Sequence, residues 1–484
     1  MIERRIFDVV VAGCGIAGLS AAVSASESGA RVAVVERATR EERGGNTRWT
    51  EAFMRMKNDS EVADDFEEHF MANSGSHLDP SLVAETARPY GQWPAIVKTL
   101  SFTDPEIVGT LAAEAGPTLA WLKGLGIRFS DMASYLITQS TTRICPVGGG
   151  LALVEALAAR AEANGVTFLY ETSADDLIFD DAGRISGLLA RDRDRNKLEL
   201  MGKVVLACGG FEGNAEMQTR YFGDVARHVR PVARGGYYNR GEGIAMALRA
   251  GAAPCGDFSQ YHAEPIDPRS GVSEPIVFNF TYGVLVTQEG RRFVDEASHT
   301  VDAIYENIAR MIAKLPGGVA YLICDARLDE VPNWQRSVRS DQKPVTAATI
   351  GELATALGIP AHTLEQTIAG FNAATRRDGA FRPLELDGLS TQGIDPPKSN
   401  WALPIATGPY RAWPISSANC FTFGGLRCNA DAEVVDGDGR PLGNLYAAGE
   451  TMGIYYRRYT GATSVLRGAV FGRIAGRHAA GAGA

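Results

Sequence analysis

Three glycines and a glutamate carry the first legible chemistry in the chain. Gly13, Gly15 and Gly18 stand in G-x-G-x-x-G spacing, and Glu36 follows 18 residues after the last of them. Glycines so placed permit a tight turn, let backbone approach a pyrophosphate and allow a helix to lie close on a strand. A carboxylate at that distance takes hydrogen bonds from ribose hydroxyls. To work, the glycines must join a buried strand to a helix whose free N-terminal N–H groups face the phosphate. The flanking residues meet that demand: 9–12 are apolar as in a buried strand, 16–28 are small and apolar as in a tightly packed helix, and 31–35 read as a second strand ending on Glu36. A dinucleotide is the expected ligand. On these residues alone NAD is as fair a choice as FAD.

Further glycine turns recur along the chain. Gly44-Gly45-Asn46-Thr47, inside Arg43 to Thr50, suits backbone passing close to a ligand. Arg143-Ile144-Cys145-Pro146 leads through Gly148 to Gly150 into a helix. Residues 166–170, 174–179, 185–192 and 197–201 alternate like a small antiparallel meander, with a turn at 181–183. A buried strand at 204–207 runs into Gly209-Gly210, and Gly241 to Gly243 opens another helix. From about residue 282 the texture changes: a hairpin and charged turn at 283–300, then helices and turns to 395 without buried parallel strands. Nucleotide-fold character returns after 404 and ends in a glycine-rich loop entering a long C-terminal helix. The organisation is one α/β domain interrupted by an insert: residues 1–279 and 404–484 form the domain, and 280–403 the insert.

The 484 residues suggest two to four domains. A hydrophobic content of 45% and a charged content of 22% are those of an ordinary globular protein. A net charge of −9 argues against nucleic-acid binding. No apolar run is long enough to span a bilayer, and the absence of a secretory h-region before the first strand makes the cytoplasm the expected location. Seven scattered cysteines without a C-x-x-C pair argue against a zinc knuckle, a c-type haem or an iron–sulfur cluster, and no metal site is expected.

Taken in order, these motifs resemble the flavoproteins of the fumarate reductase/succinate dehydrogenase superfamily, nearest to the tricarballylate dehydrogenases and 3-ketosteroid dehydrogenases. The marks are Gly13 to Gly18 with Glu36, Gly44-Gly45, L-A-C-G-G-F at 206–211, G-E-G-I at 241–244, G-V-L-V-x-x-x-G-R-R-F-V-D-E at 283–296, F-G-G-L at 423–426, L-Y-A-A-G-E at 445–450 and V-F-G-R-I-A-G at 470–476. The resemblance implies a Rossmann-like FAD-binding domain, a parallel sheet with a small antiparallel meander, interrupted by an α+β capping domain. It implies FAD held by Gly13, Gly15, Ile16, Ala17, Gly18, Glu36, Arg37, Gly44, Gly45, Asn46, Thr47, Ala207, Gly209, Gly210, Gly449, Glu450, Ser464 and Val465. No histidine stands between Gly44 and Thr50, where the family makes its covalent link, so noncovalent FAD is expected, with electrons leaving to a separate or diffusible acceptor.

The family reaction removes a proton alpha to a carbonyl or carboxyl group and passes the beta hydride to flavin N5, forming a C=C bond. The pattern departs from fumarate reduction: Tyr459 stands where the family's glycine-loop arginine falls, and Phe421 where a substrate histidine is usual. The expected catalytic set is Tyr459, Arg327, Glu296 and His299. The expected substrate contacts are Arg48, Phe421, Thr422, Tyr456, Arg457, Arg458 and Thr463, arginines serving as carboxylate anchors. The expected function is an FAD-dependent dehydrogenase that desaturates a small carboxylic or keto acid, tricarballylate-like or cyclic, with an enoate reductase or a 3-ketosteroid dehydrogenase as the alternatives.

Overall fold

In the computed structural model, which describes residues 2–74, 80–131, 143–376 and 379–481, two sheets share the work. The first is eight-stranded. Its parallel body runs Pro441–Ala447, Lys197–Leu206, Glu3–Ala12, Val32–Val35 and Thr167–Leu169, with Glu433–Val435 added antiparallel at one edge. Val9, Val10, Val11 and the Val32–Val35 strand are fully enclosed, as expected of strands covered on both faces. Two sequence expectations change here. Thr167–Leu169 is not part of the meander but a parallel edge strand paired with Val32–Val35. Residues 197–201 and 204–206 belong to one strand, Lys197–Leu206, which pairs along one flank first with Ile185–Arg191 of the meander and then with Pro441–Ala447, and along the other with Glu3–Ala12. Gly202, at φ +150, lets this strand pass Phe7 and Asp8 where the register shifts.

The first helix, Ile16–Glu27, and the last, Ser464–Ala479, lie against each other. Gly472 and Gly476 face Ala17 and Ala21, and a Cβ on either glycine would overlap the backbone of the first helix. Small residues at four-residue spacing therefore set how close the axes come. Both helices begin at the same cavity, so two N-terminal dipole ends converge there.

The second sheet is antiparallel for the most part. Tyr261–Ile266, Tyr410–Thr422, Val319–Cys324 and Val284–Val286 lie in that order, and Val345–Ala347 and Val229–Pro231 also pair with Tyr410–Thr422. Its strands come from both sides of the expected 280–403 insert. The helix Val301–Lys314 buries Val301, Ile304, Ile308 and Ile312 and turns Asp302, Tyr305, Glu306 and Arg310 to its other face. Asp302, Tyr305 and Glu306 meet the cavity residues Arg143, His262 and Tyr459, and Arg310 binds the Arg457 carbonyl behind them.

Candidate active site

A cavity runs from Glu36 and Arg37 to His262, Phe421 and Tyr459.

At one end the glycine turn is built as the sequence demands. Gly13 has φ +106, and a Cβ there would overlap the Ala207 carbonyl. Gly18 packs on Gly13, and Gly44 (φ +117) on Val154; both shape the wall without lining it. Gly15, Ile16, Ala17, Gly45 and Thr47 line the cavity, and the Thr47 hydroxyl accepts the Ile16 N–H at 3.1 Å. Each Glu36 carboxylate oxygen accepts one backbone N–H, from Cys14 and from Ala38, both at 2.8 Å. That leaves lone pairs for ribose hydroxyls, and burial pushes its carboxyl above the usual range. Arg37 lines the wall, ion-paired with Glu242.

Toward the middle, Ala207, Gly209, Gly449, Glu450, Ser464 and Val465 line the cavity. Gly210 does not: a Cβ there would overlap the Glu450 carboxylate and the Thr422 hydroxyl, so it makes room for that pair instead of touching a ligand. Glu450 Oε1 accepts from Thr422 N at 2.6 Å and Thr422 Oγ1 at 3.0 Å, which keeps Thr422 behind the wall. Buried beside it is Glu212, which the sequence reading missed; it accepts from Asn46 Nδ2 at 2.6 Å and Asn239 Nδ2 at 2.8 Å. Burial pushes both carboxyls up, and repulsion from Glu450 adds to it at Glu212, which is raised furthest. Asn46 Oδ1 faces this stretch with no hydrogen-bond partner, an acceptor left for a ligand donor. Gly210→Ala is expected to displace Glu450 and lower FAD affinity at least tenfold, measured by cofactor release on dilution; unchanged affinity would show the Glu450 position to be irrelevant.

At the far end the structure departs most from expectation. Phe421 and Tyr459 line the cavity. The Tyr459 hydroxyl accepts the N–H groups of Thr463 and Ser464, each at 3.0 Å, and donates to Ser464 Oγ, so it sits on the N-terminus of the last helix. The other expected residues lie elsewhere. Glu296 is wholly enclosed and bound to Arg292 at 2.6 Å, with Lys398 at 3.9 Å. Arg327 is tied to Asp325 at 3.1 Å, and His299 is on the surface, its Nδ1 accepting the Thr300 N–H at 2.9 Å. Arg457 and Arg458 are exposed, and Arg48 is paired with Glu155 at 3.1 Å. Tyr456 is buried beside Cys255, 3.5 Å from its sulfur. Thr463 bonds Tyr455 at 2.7 Å behind the wall. None of these lines the cavity.

In their place stand His262, Glu264, Glu274, Tyr305, Cys420 and Arg143. Arg143 is gripped by both oxygens of Asp302 at 2.5 and 2.6 Å. The His262 ring lies 4.4 Å from that of Tyr459 and 5.1 Å from that of Phe421, between centroids, and its Nε2 is 3.4 Å from the Tyr305 hydroxyl. Glu274 accepts from Arg339 at 2.6 Å; burial and nearby Glu264 push its carboxyl well up. These residues come from five separate segments. Only strand pairing and the Val301–Lys314 helix unite them, and no local spacing announces them.

The model of the family described as "FAD binding domain" matches residues 8–466. The chain belongs to this family. FAD is its cofactor, and the two helix N-termini, the Glu36 carboxylate and the unpartnered Asn46 oxygen fit it. Among relatives, an NADH:fumarate oxidoreductase of Klebsiella pneumoniae is 27% identical over 98% of the chain, which spans 48% of that protein. A 4-oxocyclohexanecarboxylate 2-dehydrogenase of Sinomonas cyclohexanicum is 28% identical over 69% of this chain and 61% of its own. The chain thus spans about half the length of the fumarate oxidoreductase. A solved 3-ketosteroid delta1-dehydrogenase from Sterolibacterium denitrificans shares the fold, with TM-score 0.70 at 20% identity over 98% of this chain and 99% of that one. The expected resemblance and fold class hold. No described helix is long and apolar enough to cross a membrane.

Proposed function

We propose that this FAD-binding chain catalyses desaturation of a CH–CH bond beside the carbonyl of a small or cyclic ketone. One observation carries the reading. Among the described residues at the substrate end two arginines reach the wall: Asp302 neutralises Arg143 with both carboxylate oxygens, and Arg467 is held over the Tyr455 ring and donates to the Met452 carbonyl, while the remaining surface is aromatic, imidazole, thiol and carboxylate. A di- or tricarboxylate needs cations to replace its lost hydration; an uncharged ketone needs one or two donors and a flat apolar wall. The expected anchors Arg48, Arg457 and Arg458 give no such support.

Bound FAD supplies the two-electron acceptor for the hydride that leaves the beta carbon. The protein holds the substrate for that transfer. Phe421 and Tyr459 form the wall on which a ring lies. The Tyr459 hydroxyl, fixed by two backbone N–H groups at a helix N-terminus, is polarised, and on substrate binding its proton turns from Ser464 Oγ to a carbonyl whose oxygen gains negative charge as the alpha proton departs. Electrons then pass to a separate or diffusible acceptor. The second reading is reduction of an activated C=C bond, favoured by the name of the fumarate oxidoreductase relative.

Anaerobic titration of the holoenzyme with cyclohexanones, 3-ketosteroids, succinate and tricarballylate tests this. Flavin bleaching by ketones alone is expected; bleaching only by the carboxylates would reject it. Reoxidation of dithionite-reduced enzyme by an enoate, with no bleaching by any saturated compound, would favour the second reading. Tyr459→Phe is expected to keep FAD and lose about 10²-fold in kcat, the usual cost of one such donor, read in steady-state assays with a dye acceptor. Turnover near that of the unaltered protein would remove Tyr459 from its role.

A further inference from the structure

We propose that His262, Glu264 and Cys420 form a binding site for one divalent transition-metal ion of the zinc class, at the substrate end of the cavity. His262 and Glu264 stand two apart on the strand Tyr261–Ile266 and so share a face. Cys420 reaches that face through a β-bulge. In the pairing with Tyr410–Thr422, His262 sits opposite Phe421 and Ala263 opposite Asn419, so Cys420 is the extra, unpaired residue. An extra residue re-aims the strand's side chains, and Cys420 and Phe421, adjacent in sequence, both face the cavity.

One ligand atom from each of the three residues lies within 4.8 Å of the others. Ligands around tetrahedral zinc stand roughly 3.5 Å apart, given bonds of about 2.0–2.3 Å, so side-chain rotation of about 1 Å closes the set. Two atoms independently ask for a partner: His262 Nδ1 and Glu264 Oε2 are buried with no hydrogen bond, although both residues are more than nine-tenths enclosed. Nε2 stands 3.7 Å from Glu264 and Nδ1 3.9 Å from Glu306, both too long for hydrogen bonds, so neither carboxylate closes a ring nitrogen to the ion. An imidazole nitrogen, a carboxylate oxygen and a sulfur are all electron-pair donors to a metal, and together they suit a borderline-soft ion. Arg310 and Arg339 are paired to Glu306 and Glu274, and among the described residues Glu264 is the carboxylate of this group with no lysine or arginine ion pair. Binding expels the Cys420 thiol proton to solvent and forms three bonds to the ion, with no change of oxidation state.

Three protein ligands leave a fourth position facing the cavity. There the ion takes the substrate carbonyl oxygen as a Lewis acid and stabilises the negative charge that grows as the alpha proton leaves. This role, unlike the binding itself, rests on the ketone reading above.

The test uses FAD-loaded enzyme equilibrated with Zn²⁺ and passed over a desalting column, with metal and flavin counted together. One zinc per flavin is expected, and Co²⁺ in its place should give ligand-field bands at wavelengths beyond the flavin absorption. Cys420→Ser and Glu264→Gln should each lower retained metal at least tenfold with flavin content unchanged. No retained zinc overturns the site, as does retention that neither substitution reduces. Ketone turnover indifferent to chelator and to added Zn²⁺ overturns the Lewis-acid role while the ketone reading stands; carboxylate-only bleaching fails that reading while the metal count still scores the site.

Discussion

Gly13→Ala is expected to yield protein without bound FAD. The residue sits at φ +106, a region L side chains rarely adopt, and the added Cβ would overlap the Ala207 carbonyl, which belongs to the backbone and cannot rotate away. The strain alone costs about 1–3 kcal/mol. The forced separation of the two turns would also carry Gly15 and the Ile16–Glu27 helix N-terminus away from the pyrophosphate position. Gly29 supplies the control. It has φ +86 but nothing within 4 Å of its Cβ direction, so Gly29→Ala should cost only the backbone strain and keep the cofactor. Flavin absorbance per chain and thermal midpoints measure both. Full FAD occupancy in Gly13→Ala would show that the first turn is not the clasp.

Glu296→Ala is expected to destabilise the fold by about 3–5 kcal/mol, because it strands Arg292 and Lys398 as buried cations. The turnover of protein that is folded and flavin-loaded should not change, since the carboxylate is remote from the cavity wall. Urea unfolding and steady-state kinetics separate the two effects. A hundredfold loss of kcat at unchanged stability would return Glu296 to the reaction. Lys398 adds a pH signature. Burial lowers its ammonium to about 8 from the usual 10.5. Between those values the unfolded chain holds a proton that the folded one has released, so this residue's share of stability rises with pH across the window and is lost as pH falls through 8. In Lys398→Met that rise should flatten, as read from denaturation midpoints between pH 8 and 10.5.

The cofactor end was legible in the sequence because its chemistry is local. A turn of fixed spacing, a strand before it, a helix after it and an acid beyond belong to one stretch, and Gly13, Gly18 and Glu36 take the positions the spacing implies. The substrate end is assembled from distant pieces. His262 meets Cys420 only through strand pairing, and the bulge that turns the thiol inward leaves no mark in composition. Glu296 misled for a physical reason. An acid in a charged R-R-F-V-D-E turn reads as reactive, yet here it neutralises Arg292 and Lys398 in the interior. Arg457 and Arg458 misled because a basic pair beside a tyrosine suggests an anchor, whereas the chain at that point crosses the surface and only its backbone reaches inward, where Arg310 binds the Arg457 carbonyl at 2.8 Å.

The Lys197–Leu206 strand has its parallel neighbour, Pro441–Ala447, roughly 230 residues downstream. At a translation rate of about 5–20 residues per second, the Val204–Leu206 end of that strand waits on the order of ten to fifty seconds with one edge unpaired. The groove meant for the Ser464–Ala479 helix stays open for longer still. An exposed edge and an open apolar groove are what chaperones bind and what aggregation exploits, so a nascent chain of this topology depends on protection during synthesis. Nor can FAD take the place of the missing strand, for half of its cradle has not yet been made.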